Sequence, residues 1–439
     1  MNRVLNAGQI VYTESSKMPC IIESLLGSGG QGEVYQANLS GQLVALKWYY
    51  PEYLKSDVEQ RARLQNAIYK GSPSNRFLWP IDLVSSPSIN GFGYIMQLRP
   101  IQYKNFADLM KRRIDPSFRA LVTAGYQLAD SFLQLHAQGM CYRDISFGNV
   151  FFDPDTGDIL ICDNDNVAIN GEQVTGILGT PRFMAPEIID GRAKPSSQTD
   201  LYSLSVLLFY LLMIHHPLEG ASELKIKCLD SPAMNKLYGS EAIFIFHPSD
   251  QSNRPVKGYH DNSLIFWPIY TKFIRDLFTK AFTEGIKDAQ NGRIRESEWR
   301  EAMVKLRDSI VYCSNCGEQN FHDFDNNSID NSRPCWNCNK PINLPTRIRI
   351  GRKIVMLNHD SQLFDHHVNP QNLFDFSRPI AQVSQNPSNP SIWGLKNLSD
   401  NKWLSTSANG DINYVDPGRS VRLATGIKIN FGKEEGEII

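Results

Sequence analysis

The pattern of apolar residues divides the chain into stretches with different predicted secondary structure. Alternating runs typical of β-strands dominate up to about residue 98, and helical patterns dominate afterwards. Residues 201–214 are largely apolar, but a membrane span needs ~20 apolar residues, so this run predicts a buried helix. The last helical pattern, over residues 298–311, rests on four apolar positions at helical spacing: Trp299, Met303, Leu306 and Ile310.

The texture of the chain changes after residue 347. Short β-type runs at residues 348–350 and 353–357 are punctuated by Asn, Pro and Gly, and no convincing helical pattern follows. This stretch predicts a small all-β domain at residues 343–439. The preceding parts are a first domain of mixed α+β type at residues 1–312 and a short cysteine-rich segment at residues 313–342.

The cysteine-rich segment has the spacing of a metal site. Four of the eight cysteines form two Cys-x2-Cys pairs separated by 18 residues: Cys313, Cys316, Cys335 and Cys338. Four thiolates close a tetrahedron around Zn²⁺ and leave no position for a catalytic water, so the expected role is structural. The alternatives are two disulfides or four buried thiols, and a reducing compartment disfavours the disulfides.

The net charge of the chain limits the classes of molecule that we expect it to bind. Lys and Arg number 45 against 46 Asp and Glu, a net charge of −1, so no global field favours nucleic acid or an anionic membrane. Alternate basic residues on one strand are usually solvated, so we expect no nucleic-acid binding by the small patch formed by Arg347, Arg349, Arg352 and Lys353. The first five residues lack the apolar run of a signal peptide, which predicts a cytoplasmic protein without a membrane partner.

A glycine-rich segment provides the first chemical signal. Gly27, Gly29, Gly32 and Val34 follow the pattern Gly-x-Gly-x-x-Gly-x-Val, in which backbone approaches phosphates without an intervening Cβ. Strand-like segments follow instead of the helix that a dinucleotide-binding loop would open, so the segment predicts a glycine-rich hairpin. Lys47 ends the second of these strands, where it can meet phosphate oxygens, although a solvated strand lysine is the alternative.

A second cluster follows in the helical part. Tyr142-Arg143-Asp144 is followed by Asn149, and Asp163 comes after an apolar strand at residues 159–162. Further matching elements are Gly179-Thr180, Ala185-Pro186-Glu187, Asp200 and Arg293. Together with the glycine-rich hairpin, this order resembles the eukaryotic-type protein kinase family over residues 21–307. The resemblance implies a bilobal protein-kinase fold whose small lobe ends near residue 98.

The resemblance also implies a role for each matching residue. Asp144 corresponds to the catalytic base, Asn149 and Asp163 to the Mg²⁺ ligands, and Lys47 to the cation on the non-transferring phosphates of ATP. Asp200 corresponds to the aspartate that anchors the catalytic loop, and Arg293 to the arginine that pairs with Glu187. A complete set of this kind argues for a working enzyme.

ATP would lie between the lobes. We expect Val34, Ala45 and Met96 to bracket the adenine, with Gln97 and Leu98 as the hinge. The glutamate that should pair with Lys47 is assigned to Glu59, in a predicted helix over residues 56–70, with Gln60 and Gln65 competing by register. A solvated Glu59 is the alternative.

Four positions depart from the family pattern. Tyr142 replaces histidine, Asn164-Asp165 replaces the Phe-Gly that follows the metal aspartate, and Ser146 replaces a lysine. In the family, the residues at positions 142, 164 and 165 normally help build an apolar stack between the lobes or follow it directly. Loss of the lysine at position 146 would slow phosphoryl transfer or mark a different substrate class.

The segment before Ala185 bears on substrate and regulation. Thr180 occupies the place where serine/threonine kinases carry a threonine that bridges to the catalytic aspartate, so serine and threonine hydroxyls are the expected acceptors. Because Arg143 precedes Asp144, it could clamp a phosphorylated threonine, and Thr175 is the preferred switch candidate over Thr180. An ordinary solvated threonine is the alternative.

The tail is similar to the closing strands of forkhead-associated domains, although an OB-fold would give much the same pattern. The similarity rests on residues 391–398, Trp403, residues 415–418 and residues 427–432. The arginine and serine pattern of phosphothreonine binding is not evident, so the tail predicts a scaffold.

The order kinase, zinc knuckle and β domain resembles bacterial kinases of tellurite-resistance-like gene clusters. That resemblance implies a von Willebrand-type protein and a metal-dependent protein phosphatase as partners. The predicted function is Mg²⁺- and ATP-dependent phosphorylation of protein serines and threonines in bacterial signalling, including autophosphorylation. The alternative is a nucleotide-binding scaffold, silent until a partner docks.

Overall fold

A computed structural model describes residues 3–171, 179–324 and 333–439. The chain divides into two compact units. The first comprises Met1–Pro268 and Arg275–Met303, and the second Ile269–Ile274 and Val304–Ile439. The predicted boundaries at residues 312 and 342 stay predictions. Across the described part of the chain, no helix has both the length and the apolar character needed to cross a bilayer.

The amino-terminal part of the first unit is a small closed barrel with strand order β1-β2-β3-β4-β6-β5. Its strands are β1 (Ile10–Thr13), β2 (Pro19–Ser28), β3 (Gly32–Leu39), β4 (Gln42–Tyr49), β5 (Asp82–Ser85) and β6 (Phe92–Gln97). Side chains of these strands pack around Tyr35, Leu46 and Trp48 inside the barrel. Strands β4 and β6 are buried on both faces, because their other side chains enter a second apolar cluster. Two short helices, α1 (Pro51–Ser56) and α2 (Gln60–Lys70), lie between β4 and β5 in the chain, where one longer helix was predicted.

The rest of the first unit is mainly helical. The helices along the chain are α3 (Phe106–Met110), α4 (Phe118–Ala137), α5 (Pro186–Ile189), α6 (Ser197–Met213), α7 (Ser231–Met234), α8 (Asp261–Phe266), α9 (Lys272–Phe282), α10 (Glu284–Lys287) and α11 (Glu296–Asp308). The start of α9, up to Ile274, and the end of α11, from Val304, belong to the second unit. Five short strands accompany them: β7 (Lys104–Asn105), β8 (Met140–Cys141), β9 (Val150–Phe152), β10 (Ile159–Ile161) and β11 (Ala168–Ile169).

Helices α4 and α6 form the centre of this helical part. Ser117 caps α4 by accepting a hydrogen bond from the Ala120 N–H, and Ser196 and Thr199 form a capping box on α6. Helix α6 is buried on nearly all sides, which confirms the buried helix predicted over residues 201–214. A helix that is apolar all round requires a core on every face. These two helices therefore give the loops between them a rigid support.

The second unit contains a small hairpin and two larger sheets. The hairpin pairs β12 (Ile310–Tyr312) with β13 (Gln319–Phe321). Ile310 was predicted to continue the preceding helix, but it pairs with Phe321 as a strand residue, so that part of the prediction is wrong. The remaining elements are β14 (Arg347–Ile350), β15 (Lys353–Met356), β16 (Gln362–Phe364), α12 (Asp365–Val368), β17 (Pro379–Asn386), β18 (Asn389–Asn397), β19 (Trp403–Thr406), β20 (Ile412–Val415), β21 (Ser420–Arg422), β22 (Lys428–Asn430) and β23 (Glu435–Ile438).

The two larger sheets are antiparallel and share one apolar core. Their strand orders are β15-β14-β23-β22-β19-β20 and β16-β17-β18-β21. Ile348 and Trp403 from the first sheet and Leu363 and Leu395 from the second are buried in the same cluster. This arrangement is a β-sandwich. The predicted strands at residues 348–350 and 353–357 are present, and α12, a short helix between β16 and β17, was not predicted.

Candidate functional site

The glycine-rich segment forms the predicted hairpin between β2 and β3. The Gly29 N–H donates to the Gly32 carbonyl at 2.9 Å, which closes the turn. At Gly32 a Cβ would lie 2.1 Å from the carbonyl oxygen of Trp48 on the neighbouring strand. A side chain would force the two strands apart, so glycine is required at this position.

A cavity of about 510 Å³ opens beside this hairpin. The predicted residues Gly27, Val34, Ala45, Met96 and Leu98 line it. Ala45 lies opposite Met96 where β4 pairs with β6. Asp163 lines the same cavity, so the cavity combines apolar walls with a carboxylate. Its volume is within the ~300–1,000 Å³ typical of small-molecule sites.

Lys47 extends from β4 to the loop that follows β10. Its Nζ lies 2.8 Å from Asp165 Oδ2 and 3.7 Å from Asp163 Oδ1, and it also donates to the side-chain oxygen of Gln31. Burial opposes a charge on Lys47, but the two aspartates outweigh that effect and raise its pKa. Lys47 is therefore a buried ammonium paired with carboxylates, and the solvated-lysine alternative is wrong.

Glu59 does not occupy the predicted place. It is the N-cap residue of α2, and its side chain is exposed. The next residue, Gln60, is buried and turns inward, and its Nε2 donates to the Tyr49 hydroxyl at 2.9 Å and to the Asp165 carbonyl at 3.3 Å. Among the described residues, the carboxylates that pair with Lys47 are Asp163 and Asp165, so the predicted Lys47–Glu59 pair is wrong.

The loop after β8 carries the predicted catalytic pair. The Thr180 hydroxyl donates to Asp144 Oδ1 at 2.8 Å. The Asn149 amide nitrogen donates to the Asp144 carbonyl at 2.8 Å and to its Oδ2 at 3.3 Å. Both carboxylate oxygens of Asp144 are thus oriented by neighbours, as the resemblance implies for Thr180.

A metal ligand pair is available beside Asp144. Because the Asn149 amide nitrogen is used on Asp144, its amide oxygen remains as a ligand atom. The Cys162 N–H donates to the Asn149 carbonyl at 2.9 Å, which places the following Asp163 near Asn149. The Asp163 side chain is 37% exposed, facing the cavity that it lines. An amide and a carboxylate oxygen suit Mg²⁺.

The unusual residues of the site are hydrogen-bonded. The Tyr142 hydroxyl donates to the Cys162 carbonyl, and its ring meets Phe132 edge-on at 5.7 Å. The Asn164 amide nitrogen donates to the carbonyls of Leu78 at 2.8 Å and Ile161 at 3.0 Å. The Asn164 amide therefore links Leu78, which precedes the predicted lobe boundary, to the loop after β10, whereas the Tyr142 contacts stay within the helical part.

The supporting contacts that the resemblance implies are present. Asp200 accepts hydrogen bonds from the backbone N–H groups of Tyr142 at 2.5 Å and Arg143 at 3.0 Å. Arg293 pairs with Glu187 at 2.5 Å. These contacts hold the loop after β8 and the first turn of α5. Thr175, the predicted switch, lies outside the described residues.

The four predicted zinc cysteines come together in the second unit. Cys313 Sγ lies 3.6 Å from Cys338 Sγ, and Cys316 Sγ lies 3.6 Å from Cys335 Sγ. All four sulfurs lie within 4.8 Å of one another. A disulfide would bring two sulfurs to ~2.05 Å, so these are unbridged thiols. Burial opposes ionisation of Cys335, but backbone N–H groups of Cys338 and Asn337 lower its pKa to about 6.

A second cluster in the same unit has the composition of a metal site but not its proton arrangement. Asp308, His366 and His367 are buried together. The Nδ1 atoms of the two histidines each accept a backbone N–H at 2.9 Å, from Phe374 and Phe364 respectively. Each neutral ring then carries its proton on Nε2, which leaves that nitrogen no lone pair for a metal. The cluster is a hydrogen-bonded support for α12.

Sequence reasoning missed three polar residues of the first site. Asp165 was noted only as a replacement for glycine, and Tyr49 and Tyr94 were not singled out. The Tyr49 hydroxyl donates to Asp165 Oδ2 at 2.6 Å, and the Tyr94 hydroxyl donates to Oδ1 at 3.3 Å. A carboxylate at a position that normally has no side chain was the available signal.

Comparison with known proteins agrees with this geometry. Residues 21–284 match the family described as protein kinase domain. The chain is similar to serine/threonine-protein kinase PknK of Mycobacterium bovis, with 31% identity over 45% of the chain and 18% of that protein. It is also similar to the probable serine/threonine-protein kinase CCRP1 of Zea mays, with 26% identity over 44% of the chain and 31% of that protein.

A third similar protein is the protein kinase C delta type of Rattus norvegicus, with 29% identity over 46% of the chain and 30% of that protein. The chain thus spans less than a third of the length of each of these relatives.

The contact of His136 with Asp200 predicts that the stability of the protein depends on pH. The His136 ring contacts Asp200 at 3.1 Å and also Glu296. Burial opposes protonation, but the two carboxylates raise the pKa of His136 from 6.5 to about 9. A raised pKa contributes stability that is complete below pH 6.5 and is lost as pH rises through about 9. We expect the thermal midpoint of the parent to fall across this range, and His136→Gln to flatten the decline. An equally steep decline in the variant would contradict the assignment.

Proposed function

The chain belongs to the protein kinase family, and from this we propose that it transfers the γ-phosphoryl group of ATP to serine and threonine hydroxyls of proteins. The observation that carries the proposal is the orientation of Asp144. Its carboxylate is held by Thr180 and Asn149. The Asn149 carbonyl accepts a hydrogen bond from the Cys162 N–H, next to Asp163, which in turn lies 3.7 Å from Lys47. The serine/threonine kinases among the similar proteins support the choice of acceptor.

Each residue has a defined task in this proposal. Asp144 accepts a hydrogen bond from the attacking hydroxyl, orients it and takes up its proton. The positively charged ammonium of Lys47 contacts the α- and β-phosphate oxygens. Asn149 and Asp163 would hold Mg²⁺, which when bound neutralises charge on the β- and γ-phosphates. Gly27, Gly29 and Gly32 let backbone approach the phosphates.

The adenine is proposed to lie in the cavity of about 510 Å³. Val34, Ala45 and Met96 bracket it there, with Leu98 at the hinge. The supporting observation is that these four residues line one cavity together with the metal-ligand candidate Asp163. Apolar side chains in the lining suit a planar base, and the carboxylate in the same lining suits its phosphates through a metal.

A nucleotide-binding scaffold is the second candidate, and one contact favours it. The Gln31 side chain from the glycine-rich hairpin accepts a hydrogen bond from Lys47 and donates to Asn166 Oδ1 at 3.0 Å. In this contact the Lys47 ammonium donates to Gln31 instead of to a phosphate oxygen. A partner that lifts the hairpin would then be required before transfer.

The cysteine cluster is proposed to bind one structural Zn²⁺. With Zn–S bonds of ~2.3 Å, tetrahedral geometry requires sulfurs ~3.8 Å apart, close to the 3.6 Å of both measured pairs. The lowered pKa of Cys335 supports a thiolate ligand. Four sulfur ligands leave no open position, so the metal would stabilise this segment and take no part in transfer.

The remaining assignments rest on resemblance. The sandwich of the second unit supports a forkhead-associated-like scaffold over an OB-fold, because an OB-fold is a single five-stranded barrel, whereas these strands form a six-stranded and a four-stranded sheet. A cytoplasmic location agrees with eight unbridged cysteines. Bacterial signalling and autophosphorylation are proposed from the resemblance alone. A von Willebrand-type protein and a metal-dependent protein phosphatase are proposed partners because the predicted domain order resembles that of kinases encoded beside them.

The catalytic proposal predicts phosphate incorporation that depends on Asp144. Purified protein incubated with ATP and Mg²⁺ should gain phosphate on serine or threonine, measured by mass spectrometry. Loss of the base should slow incorporation by about 10²–10⁴-fold in Asp144→Ala. Asp115→Asn, at an exposed aspartate, serves as the matched control. Incorporation at the parental rate in Asp144→Ala would refute the role, and nucleotide binding without incorporation in the parent would favour the scaffold.

The zinc proposal predicts one zinc per chain by elemental analysis of protein purified without chelator. Because metal binding supplies folding free energy to so small a segment, Cys335→Ser should be cleaved faster than the parent within residues 313–342 in limited proteolysis. Cys228→Ser changes an exposed cysteine and should match the parent. A zinc content near zero, or equal cleavage of Cys335→Ser and the parent, would contradict the proposal.

A further inference from the structure

Asp165 is a carboxylate fully enclosed by hydrogen-bond donors. Its side chain has no exposed surface, and it is paired with Lys47 at 2.8 Å. The hydroxyls of Tyr49 at 2.6 Å and Tyr94 at 3.3 Å donate to its two oxygens. An ionised carboxylate has about four acceptor sites, and the ammonium and two hydroxyls occupy most of them. Such an environment holds both the charge and the orientation of the group.

The position of this carboxylate links Lys47 to residues 163–165, the proposed metal loop after β10. Asp165 follows Asp163 by two residues, so the partner of Lys47 and a proposed metal ligand belong to one short turn. Asp163 also lies 3.7 Å from Lys47, but its side chain is partly exposed toward the cavity. If Asp163 turns to a metal, Lys47 keeps its buried partner and remains directed into the site.

Helix α2 contributes an amide at the place nearest to this pair. Gln60 is buried, its Nε2 donates to Tyr49 and to the Asp165 backbone carbonyl, and it lies 3.5 Å from Asp165 Oδ2. Its oxygen accepts from Arg63, which fixes the direction of the amide. A glutamate at position 60 would place a carboxylate oxygen against Asp165, and two buried like charges repel.

We propose that Asp165 is the positioning residue that holds Lys47 for phosphate binding, and that Gln60 is neutral because the loop, not the helix, carries the charge. The inference rests on the proposed function of Lys47. By this inference, a carboxylate is needed at either position 165 or position 60. Carboxylates at both positions would repel each other.

The test is a double-mutant cycle of Asp165→Asn and Gln60→Glu in the full chain. One readout is the affinity for a fluorescent ATP analogue with and without Mg²⁺, and the other is kcat and KM for phosphate incorporation. Misplacement of a site group by ~1 Å costs about 10²-fold in rate, so we expect Asp165→Asn to lose about that in kcat/KM and to bind nucleotide more weakly. Gln60→Glu alone should also lose activity and affinity, whereas the double variant should regain most of both.

Asp115→Asn is the matched control and should behave as the parent. Parental nucleotide affinity and activity in Asp165→Asn would overturn the inference, as would a double variant with losses equal to or greater than the sum of the single losses. If Asp165→Asn does not fold, the double variant must still exceed Gln60→Glu in nucleotide affinity, and failure to do so also overturns it. A parent that binds nucleotide without transferring phosphate refutes the proposed function, while the affinity cycle still decides this inference.

Discussion

The ion pair between Lys47 and Asp165 is the contact on which the arrangement of the site depends. Both groups are buried, and removing one partner of such a pair typically costs about 3–5 kcal/mol because the other charge is left uncompensated. Tyr49, Tyr94 and Gln60 surround the pair with donors, so β4, β6, α2 and the loop after β10 meet at one carboxylate. The small barrel and the metal loop are joined at this point.

A second set of contacts fixes the other half of the site. Asp200 lies in the first turn of the buried helix α6 and accepts hydrogen bonds from two backbone N–H groups of the loop after β8. His136, at the end of α4, connects Asp200 with Glu296. Because α4 and α6 are packed into the core, the loop that carries Asp144 has a rigid support, which the proposed role of Asp144 as general base requires.

Short-range patterns explain why most of the site could be predicted. Asp144, Asn149 and Asp163 lie within 20 residues of one another, and their spacing matches a family whose turn geometry is set locally. The cysteine pairs were identified for the same reason. Each Cys-x2-Cys pair forms one tight turn, so the four sulfurs could be assigned together without knowledge of the surrounding fold.

The errors concern side-chain direction and long-range pairing. Glu59 was expected inside a helix, but α2 begins at Gln60, and this start turns Gln60 inward and leaves Glu59 exposed. Ile310 continues a helical pattern, yet it pairs with Phe321 across a hairpin. The sandwich follows from strands far apart in the chain, such as β14 with β23, whose register no local pattern contains.

The most direct measurement is a crystal structure with Mg²⁺ and a non-hydrolysable ATP analogue. The account predicts that Lys47 Nζ contacts an α- or β-phosphate oxygen while remaining within hydrogen-bond distance of Asp165, with Asn149 and Asp163 on the metal and Gln60 against Asp165. A structure in which Lys47 leaves Asp165 to pair with a carboxylate of helix α2, or in which Asp165 turns into the cavity away from Lys47, would contradict it.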